Sequence, residues 1–184
     1  YGPIDGHDTA LLERTFEFLK TQNEPVLLHI LTTKGKGYSP ALLQPDKFHG
    51  LGKFQPETGE TEPAATPTYS QLLGTKLADF ADHNNRIVAI TAAMAGGTGL
   101  GLFEKRHPGR YHDVGIAEEH AALFACGLAT QGYKPFLTIY STFMQRAYDM
   151  IIHDIALQNL NVALCMDRAG LSGDDGPTHH GLFD

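Results

Sequence analysis

The sequence predicts an α/β fold in which a parallel sheet carries helices on both faces. Short apolar runs, typical of buried strands, alternate with longer amphipathic runs, typical of helices. Glycine-rich segments follow several of the apolar runs, where the loops of such a sheet would turn. This alternation favours a parallel sheet, because parallel neighbours need a long connection that a helix usually provides.

The first part of the chain, residues 1–54, contains a predicted helix, a predicted strand and a loop. Apolar side chains recur at helical spacing through residues 8–22, and Asp8 or Thr9 could begin this helix. The continuous apolar run at residues 25–32 predicts a buried parallel strand. The segment TKGKGYSP that follows contains two glycines and a proline, so it predicts a loop.

Residues 55–68 are polar and rich in proline, threonine and glutamate, and they predict a linker between domains. Residues 69–184 predict a second domain, which we expect to be incomplete at its C-terminus. Its predicted helices are residues 69–84, 102–107, 119–130 and 143–158, and its predicted strands are residues 86–91, 111–116, 134–140 and 161–166. The predicted buried face of the first helix consists of Leu72, Leu73, Leu77 and Phe80.

Composition and charge argue against several function classes. Hydrophobic residues make up 42% of the chain, enough to bury a sizeable core. The net charge of −7 argues against a non-specific nucleic-acid binder and against docking on anionic membranes. No apolar run approaches the roughly 20 residues of a membrane-spanning helix. Cys126 and Cys165 lie in apolar runs, so we expect buried, reduced thiols.

Glu118 is the leading candidate for a chemical role, because it lies where the predicted strand of DVGIAEEH meets the next helix. One interpretation is an acid that complements the helix dipole, an effect of about 0.3–1 kcal/mol. The other is a carboxyl group buried in a cleft, where desolvation favours the protonated form and outweighs the dipole. A protonated glutamate could then donate a hydrogen bond. Glu119 is expected to be the solvated acid of the pair.

The segment SGDDGPTHHG offers four side chains with more than one interpretation. They are Asp174, Asp175, His179 and His180. A turn with solvated histidines is one interpretation, and a metal site is another, since His and Asp are suitable ligands. A third is a loop that brings a histidine over a bound substrate for proton transfer.

Other candidate residues also follow the predicted strands, at the edge where ligands bind in such sheets. Arg146 and Arg168 could hold a phosphate or carboxylate, or form surface salt bridges. Tyr140 and Phe143 could be core residues or a platform for a planar cofactor. His49 is by default a surface histidine. The run GGTGLG is a poor dinucleotide fingerprint, because no clean GxGxxG opens a long helix there.

Seven runs, in this order and at these intervals, together resemble one enzyme family. They are DGHD, TKGKGY, KFHG, ITAAM, DVGIAEEHA, YSTFMQRAYDMIIHDIALQNLNV and DRAGLSGDDGPTHHGLFD. The resemblance is to the 1-deoxy-D-xylulose-5-phosphate synthases, which belong to the transketolase-like thiamine-diphosphate enzymes, and it covers nearly the whole chain. It implies a thiamine-diphosphate-binding fold in which residues 1–54 are the C-terminal part of a diphosphate-binding domain and residues 69–184 are a pyrimidine-binding domain. It also implies thiamine diphosphate and Mg²⁺ as cofactors, a homodimer, and a place in the bacterial cytoplasm or the plastid.

The reaction that the resemblance implies joins pyruvate with glyceraldehyde 3-phosphate and releases carbon dioxide. The product, 1-deoxy-D-xylulose 5-phosphate, feeds isoprenoid, thiamine and pyridoxal synthesis. By the same resemblance, Glu118 hydrogen-bonds N1′ of the aminopyrimidine, Phe143 stacks on the pyrimidine, and Tyr38 lies at the diphosphate side.

The resemblance places the remaining candidates around the substrates. His49 and His179 match active-site histidines with proton-transfer or orienting roles. Tyr140 and Asp175 match residues around the second substrate. Arg146 and Arg168 match arginines that hold carboxylate or phosphate groups.

Departures from the family pattern limit what this chain is expected to do alone. The magnesium motif of the family, a GDG run followed by an asparagine, is expected upstream of residue 1, and GDDG at residues 173–176 is not that motif. We therefore expect a piece of a longer polypeptide that is inactive by itself, with no metal ligands in this part. Alternative hypotheses are another transketolase-like enzyme and a non-catalytic module that pairs through its small-residue helix.

Overall fold

A computed structural model describes residues 1–61, 66–171 and 176–182 of the chain. The chain divides into two compact units, Tyr1–Pro63 and Ala64–Asp184. The elements of the first unit are β1 (Ile4–Asp5), α1 (Thr9–Leu19), β2 (Ile30–Leu31), α2 (Ser39–Leu43) and a 3₁₀ turn (Lys47–His49).

Helix α1 confirms the helix predicted in the first unit. Asp8 precedes it, and its carboxylate accepts a hydrogen bond from the backbone N–H of Leu11 at 2.9 Å, which satisfies a donor that the helix leaves open.

The strand predicted at residues 25–32 is parallel, but the prediction that it is buried is wrong. Only β2 is extended, and it pairs in parallel with β1. Leu27 is 83% exposed, although it lies in the middle of the apolar run. Among the described residues β2 has β1 as its one strand neighbour, so few side chains cover this run.

The segment predicted as a linker begins with a folded turn. Phe54 and Thr61 form an antiparallel bridge around it. Gly59 has a positive φ of +72°, and a Cβ at this position would lie 2.8 Å from the Phe48 ring, so glycine is needed there. Residues 55–61 are therefore folded against the first unit despite their polar composition, and residues 62–65 lie outside the described residues.

The second unit contains every helix and strand that the sequence predicts there, with ends that differ by a few residues. The strands are β3 (Ile87–Thr91), β4 (Tyr111–Asp113), β5 (Lys134–Tyr140) and β6 (Ala163–Asp167). The helices before β5 are α3 (Tyr69–His83), α4 (Gly101–Arg106) and α5 (Glu118–Thr130). The single helix predicted between β5 and β6 is a helical segment of mixed type, made of α6 (Ser141–Met144), a 3₁₀ turn (Gln145–Ala147), α7 (Tyr148–Met150) and a π-helical turn (Ile151–Ala156).

The four strands form a parallel sheet in the order β4-β3-β5-β6, which confirms the predicted sheet. Because all four strands run in one direction, their carboxyl ends lie at the same edge, which we call the carboxyl edge. The loop after β4, the start of α6 after β5 and the residues after β6 all begin at this edge.

Helices cover both faces of the sheet, as predicted. On one face, small residues of α5 pack with Ile90 and Leu137 of the sheet and with Met144 and Ala147 of the helical segment that follows β5. On the other face, α3 and α4 pack on Ile87 and Ala89. Alternate residues of β3 thus face opposite layers, and each buried aliphatic side chain contributes about 1.5–3 kcal/mol.

The buried face predicted for α3 is partly wrong. Leu77 is buried, but Leu72 and Phe80 are 48% and 61% exposed. The helix packs instead through small residues, and a Cβ at Gly74 would lie only 1.9 Å from the backbone oxygen of Gly99. Since α3 approaches this backbone so closely, its larger apolar side chains lie beside the contact rather than within it.

The thiols agree with the expectation of buried, reduced cysteines. Cys126 is buried, Cys165 is partly buried, and both are free. Burial raises the pKa of each thiol. In the described ranges, no helix has the length and apolar character needed to cross a membrane.

Candidate active site

Glu118 is the first residue of α5, and the corner before it is fixed by Asp113 at the end of β4. The Asp113 carboxylate accepts hydrogen bonds from the backbone N–H groups of Ala93, at 2.8 Å, and Gly115, at 2.9 Å. Ala93 has a φ of +60°, a strained value for a residue other than glycine. Asp113 therefore ties the loops after β3 and β4 together beside Glu118.

The Glu118 side chain is buried and forms an ion pair. It is 1% exposed, and Arg146 Nη1 donates to Glu118 Oε1 at 2.7 Å. The expectation that Glu118 is protonated was based on burial and the helix dipole, and it did not include Arg146 as a partner. Arg146 is thus a direct hydrogen-bonding partner of this buried carboxyl group, and a protonated Glu118 stays a prediction. Glu119 is exposed, as expected.

Arg146 also connects Glu118 to the aromatic residues at the end of β5. Its guanidinium carbon lies 5.0 Å from the centre of the Phe143 ring. Phe143 stacks on Tyr140 with ring centres 6.1 Å apart, and His179 meets Phe143 edge-on at 5.2 Å.

Arg168, directly after β6, completes this set of contacts. Its guanidinium carbon lies 3.9 Å from the centre of the Tyr140 ring. Its φ of +57° makes it, like Ala93, a strained residue at the carboxyl edge. Six residues that the sequence singled out are thus linked through direct contacts. We call them the rim cluster: Glu118, Tyr140, Phe143, Arg146, Arg168 and His179.

Tyr38 and His49 lie in the first unit. The Tyr38 hydroxyl donates to the backbone oxygen of Pro56 at 2.8 Å, and its ring packs against Phe48 with centres 5.5 Å apart. His49 Nδ1 lies 2.9 Å from Lys34 Nζ, and Lys34 belongs to the run TKGKGY. The sequence did not single out Lys34, although its run follows a predicted strand.

The loop SGDDGPTHHG, which contains the two candidate aspartates and the two candidate histidines, is only partly described. Asp174 and Asp175 lie outside the described residues. His179 contacts Phe143 and Tyr140 through its ring, and its position over a bound substrate stays a prediction. Within residues 1–61, 66–171 and 176–182, no three His, Cys, Asp or Glu side chains group in a way that could hold a metal ion.

The glycine-rich run after β3 has a positioning role that the sequence did not reveal. A Cβ at Gly97 would lie 1.6 Å from the Tyr140 hydroxyl oxygen, so the Tyr140 side chain occupies the space that glycine leaves. Met94, in the same loop, accepts a hydrogen bond through Sδ from the Tyr140 backbone N–H at 3.3 Å. The signal available in the sequence was a run of glycines after a buried strand.

Gly97→Ala is expected to displace the Tyr140 ring. The new Cβ needs at least 3.0 Å, so the hydroxyl must move by about 1.4 Å from its 1.6 Å position, which loosens the stack on Arg168. Crystal structures of the variants would measure this displacement. Gly96→Ala is the matched control, because a Cβ at Gly96 meets no atom of the described residues within 4 Å. An unmoved Tyr140 in the Gly97 variant would contradict this assignment.

A cavity of about 670 Å³ lies beside the rim cluster, between the start of α3 and strands β5 and β6. Arg168, Cys165 and Thr138 are among the residues that line it. The Thr138 hydroxyl is buried and has no hydrogen-bond partner in the part of the chain that the structure describes. Glu118 does not line this cavity, so the cavity and the ion pair are separate features of the same edge.

A second cavity, of about 450 Å³, lies along β4. His112 and Tyr111 line it. Burial lowers the pKa of His112, and burial together with the Asp113 carboxylate raises the pKa of Tyr111. Both side chains are therefore held in their neutral forms near pH 7.

The rim cluster suits a planar, polar ring as its ligand. Phe143 and Tyr140 offer aromatic faces, and Glu118 offers a carboxylate at the edge of such a ring. His179 lies against the same aromatic faces and could exchange a proton with a bound molecule. Arg168 adds a positive charge for a phosphate or carboxylate.

Comparisons with known proteins cover both units. The family described as "Transketolase, pyrimidine binding domain" matches residues 65–184. The family described as "1-deoxy-D-xylulose-5-phosphate synthase" matches residues 1–32.

Among curated proteins, the 1-deoxy-D-xylulose-5-phosphate synthase of Acidobacterium capsulatum is 64% identical over 184 residues, which is 100% of this chain and 29% of that protein. The synthase of Methylacidiphilum infernorum is 60% identical, over the same shares of the two chains. A solved structure described as "Split gene transketolase, inactive beta4 tetramer" has a TM-score of 0.49 and 31% identity, over 55% of this chain and 33% of that one. The chain thus spans less than a third of the length of these curated relatives.

Proposed function

The chain belongs to the transketolase pyrimidine-binding domain family, and on that premise we propose that it forms part of a longer 1-deoxy-D-xylulose-5-phosphate synthase. The proposed reaction joins pyruvate with glyceraldehyde 3-phosphate, releases carbon dioxide and gives 1-deoxy-D-xylulose 5-phosphate, a precursor of isoprenoids, thiamine and pyridoxal. The observation that carries the proposal is the buried Glu118 carboxylate, linked through Arg146 to the Phe143 ring. The identity to curated synthases along the whole chain supports this choice of reaction.

The rim cluster fits the aminopyrimidine ring of thiamine diphosphate. Glu118 would bond N1′ at the edge of the ring, and Phe143 would stack on its face. When bound, thiamine diphosphate supplies the electron sink that makes decarboxylation and carbon–carbon bond formation accessible. From the family resemblance, we propose that Mg²⁺ is held by a part of the longer protein outside this chain.

The chain's own residues would hold the ring and exchange protons. We assign Glu118 to hydrogen bonding and proton exchange at N1′, which requires a carboxylate that is shielded from water and precisely oriented. His179, in edge contact with Phe143, is assigned to a proton at the reacting carbons. Tyr140 and Arg168, together with Asp175, are assigned to the second substrate.

The family resemblance also gives Tyr38 and His49, both in the first unit, roles in the full-length protein. There Tyr38 would face the diphosphate, and His49 would act near the reacting carbons. The pairing of His49 Nδ1 with Lys34 Nζ leaves Nε2 as the nitrogen that can face a substrate. We further propose a cytoplasmic homodimer of the longer protein, and no activity from the 184-residue chain alone.

The proposed reaction is tested by assaying the full-length protein for carbon dioxide release from pyruvate. We expect release to depend on thiamine diphosphate and Mg²⁺ and to accelerate when glyceraldehyde 3-phosphate is added. A transketolase would use a ketose phosphate in place of pyruvate, and a 2-oxo-acid dehydrogenase component would show no such acceleration. A full-length protein that releases no carbon dioxide from pyruvate would contradict the proposal, and turnover of a ketose phosphate would then distinguish a transketolase from a non-catalytic pairing module.

A further inference from the structure

We propose that Arg146 is a positioning residue that holds Glu118 and Phe143 in place for the pyrimidine ring, rather than a residue that binds a substrate anion. This inference rests on the proposed function, because it concerns the same site. It departs from the role that family resemblance suggests for this arginine.

The ion pair with Glu118 is the first observation that supports this role. Arg146 Nη1 lies 2.7 Å from Glu118 Oε1, and the carboxylate is 1% exposed. An ionised carboxylate at such a depth needs an opposite charge and a hydrogen-bond donor close by, and Arg146 supplies both. The Arg146 side chain is 47% exposed, so the arginine itself remains partly solvated while it compensates the buried carboxylate.

The contact with Phe143 is the second observation. The same guanidinium lies over the Phe143 ring, with its carbon 5.0 Å from the ring centre. Glu118 and Phe143 are the two residues proposed to meet the edge and the face of one pyrimidine. A single side chain therefore sets the relative position of both groups, which come from different elements of the fold.

The backbone beside Arg146 is well placed to hold this geometry. Arg146 lies in the 3₁₀ turn Gln145–Ala147, and the next residue, Ala147, is completely buried in the core between α5 and the sheet. A substrate anion would have to share the guanidinium with the Glu118 carboxylate, which already accepts from Nη1. Arg168 contacts Tyr140 instead, so the two arginines have different neighbours and can be compared directly.

The test compares Arg146→Gln with Arg168→Gln in the full-length protein. For Arg146→Gln we expect kcat to fall and the dissociation constant of thiamine diphosphate, measured by titration calorimetry, to rise, each by about tenfold or more. The KM values for pyruvate and glyceraldehyde 3-phosphate should change by less than about threefold. For Arg168→Gln we expect the opposite pattern: the KM values for the substrates rise, and the dissociation constant of thiamine diphosphate is unchanged.

A double variant separates positioning from an independent role. If Arg146 acts through Glu118, adding Arg146→Gln to Glu118→Gln should lower kcat by less than about threefold further. A double variant whose fold-loss in kcat equals the product of the two single fold-losses would overturn the proposal. So would an Arg146→Gln variant whose only change is a raised KM for a substrate.

Thermal unfolding of the ligand-free protein gives a readout that does not depend on activity. Arg146→Gln should lower the unfolding temperature, because it leaves a buried carboxylate without its partner, and Glu118→Gln in the same chain should recover part of that loss. Unchanged unfolding temperatures would overturn the positioning role. If the wild-type protein fails to bind thiamine diphosphate, the proposed function fails, whereas equal binding by wild type and Arg146→Gln overturns only the inference about Arg146.

Discussion

Glu118→Ala should lower the kcat of the full-length protein by about 10²–10⁴-fold, the usual contribution of a positioned acid or base. Glu118 is buried at the first turn of α5, and no neighbouring carboxylate in the described part of the chain shares its position against Arg146. Steady-state assays with pyruvate and glyceraldehyde 3-phosphate would measure the loss. Glu118→Gln keeps the size of the side chain and should lose activity to a similar extent.

Glu119→Ala is the matched control for this prediction. Glu119 is the next residue of the same helix, carries the same charge near the same dipole, and is exposed. Its removal should change kcat by less than about twofold, because surface substitutions rarely perturb a site. If folded Glu118→Ala retains activity to within about tenfold of the wild type, the role assigned to Glu118 is wrong.

Gly74→Ala should destabilise the protein by about 1–3 kcal/mol or more, although alanine normally favours a helix over glycine. The new Cβ would lie 1.9 Å from the backbone oxygen of Gly99, which cannot move aside as a flexible side chain could. The contact between α3 and the loop after β3 would have to open. Because that loop also carries Gly97 and Met94, we expect the position of Tyr140 to change as well.

Gly127→Ala should have the opposite effect on stability. Gly127 lies inside α5, as Gly74 lies inside α3, but a Cβ at Gly127 meets no atom within 4 Å in the part of the chain that the structure describes. Alanine should therefore stabilise the helix by about 0.5–1 kcal/mol. Scanning calorimetry of both variants would give the two shifts in unfolding temperature. Equal shifts, or a stabilising Gly74→Ala, would contradict the close packing of α3.

The parallel sheet and its helices could be predicted because their signals are local. Strands β3 and β5 each lie in a short apolar run, and α5 begins within one residue of its predicted start. Side-chain periodicity and loop composition are enough to identify such elements. The carboxyl edge followed from the parallel order, so Glu118, Tyr140 and Arg168 could be expected at one edge before any contact was known.

The features that the sequence did not reveal depend on distant partners. Which face of α3 is buried depends on how closely Gly74 approaches Gly99, and the spacing of the leucines carries no information about that backbone. The ion pair of Glu118 joins residues 28 positions apart. Burial of the Glu118 carboxyl group was one of two interpretations open from the sequence. Its pairing with Arg146 was not expected, because Arg146 was interpreted as a binder of anions or as part of a surface salt bridge.

The central claim is that the rim cluster holds the pyrimidine ring of thiamine diphosphate, and a crystal structure of the full-length protein with this cofactor tests it most directly. We predict a Glu118 carboxylate oxygen within about 2.6–3.2 Å of N1′, with the Phe143 ring stacked on the pyrimidine. A pyrimidine ring bound elsewhere, such as in the cavity along β6, with Glu118 still paired only to Arg146, would contradict the claim.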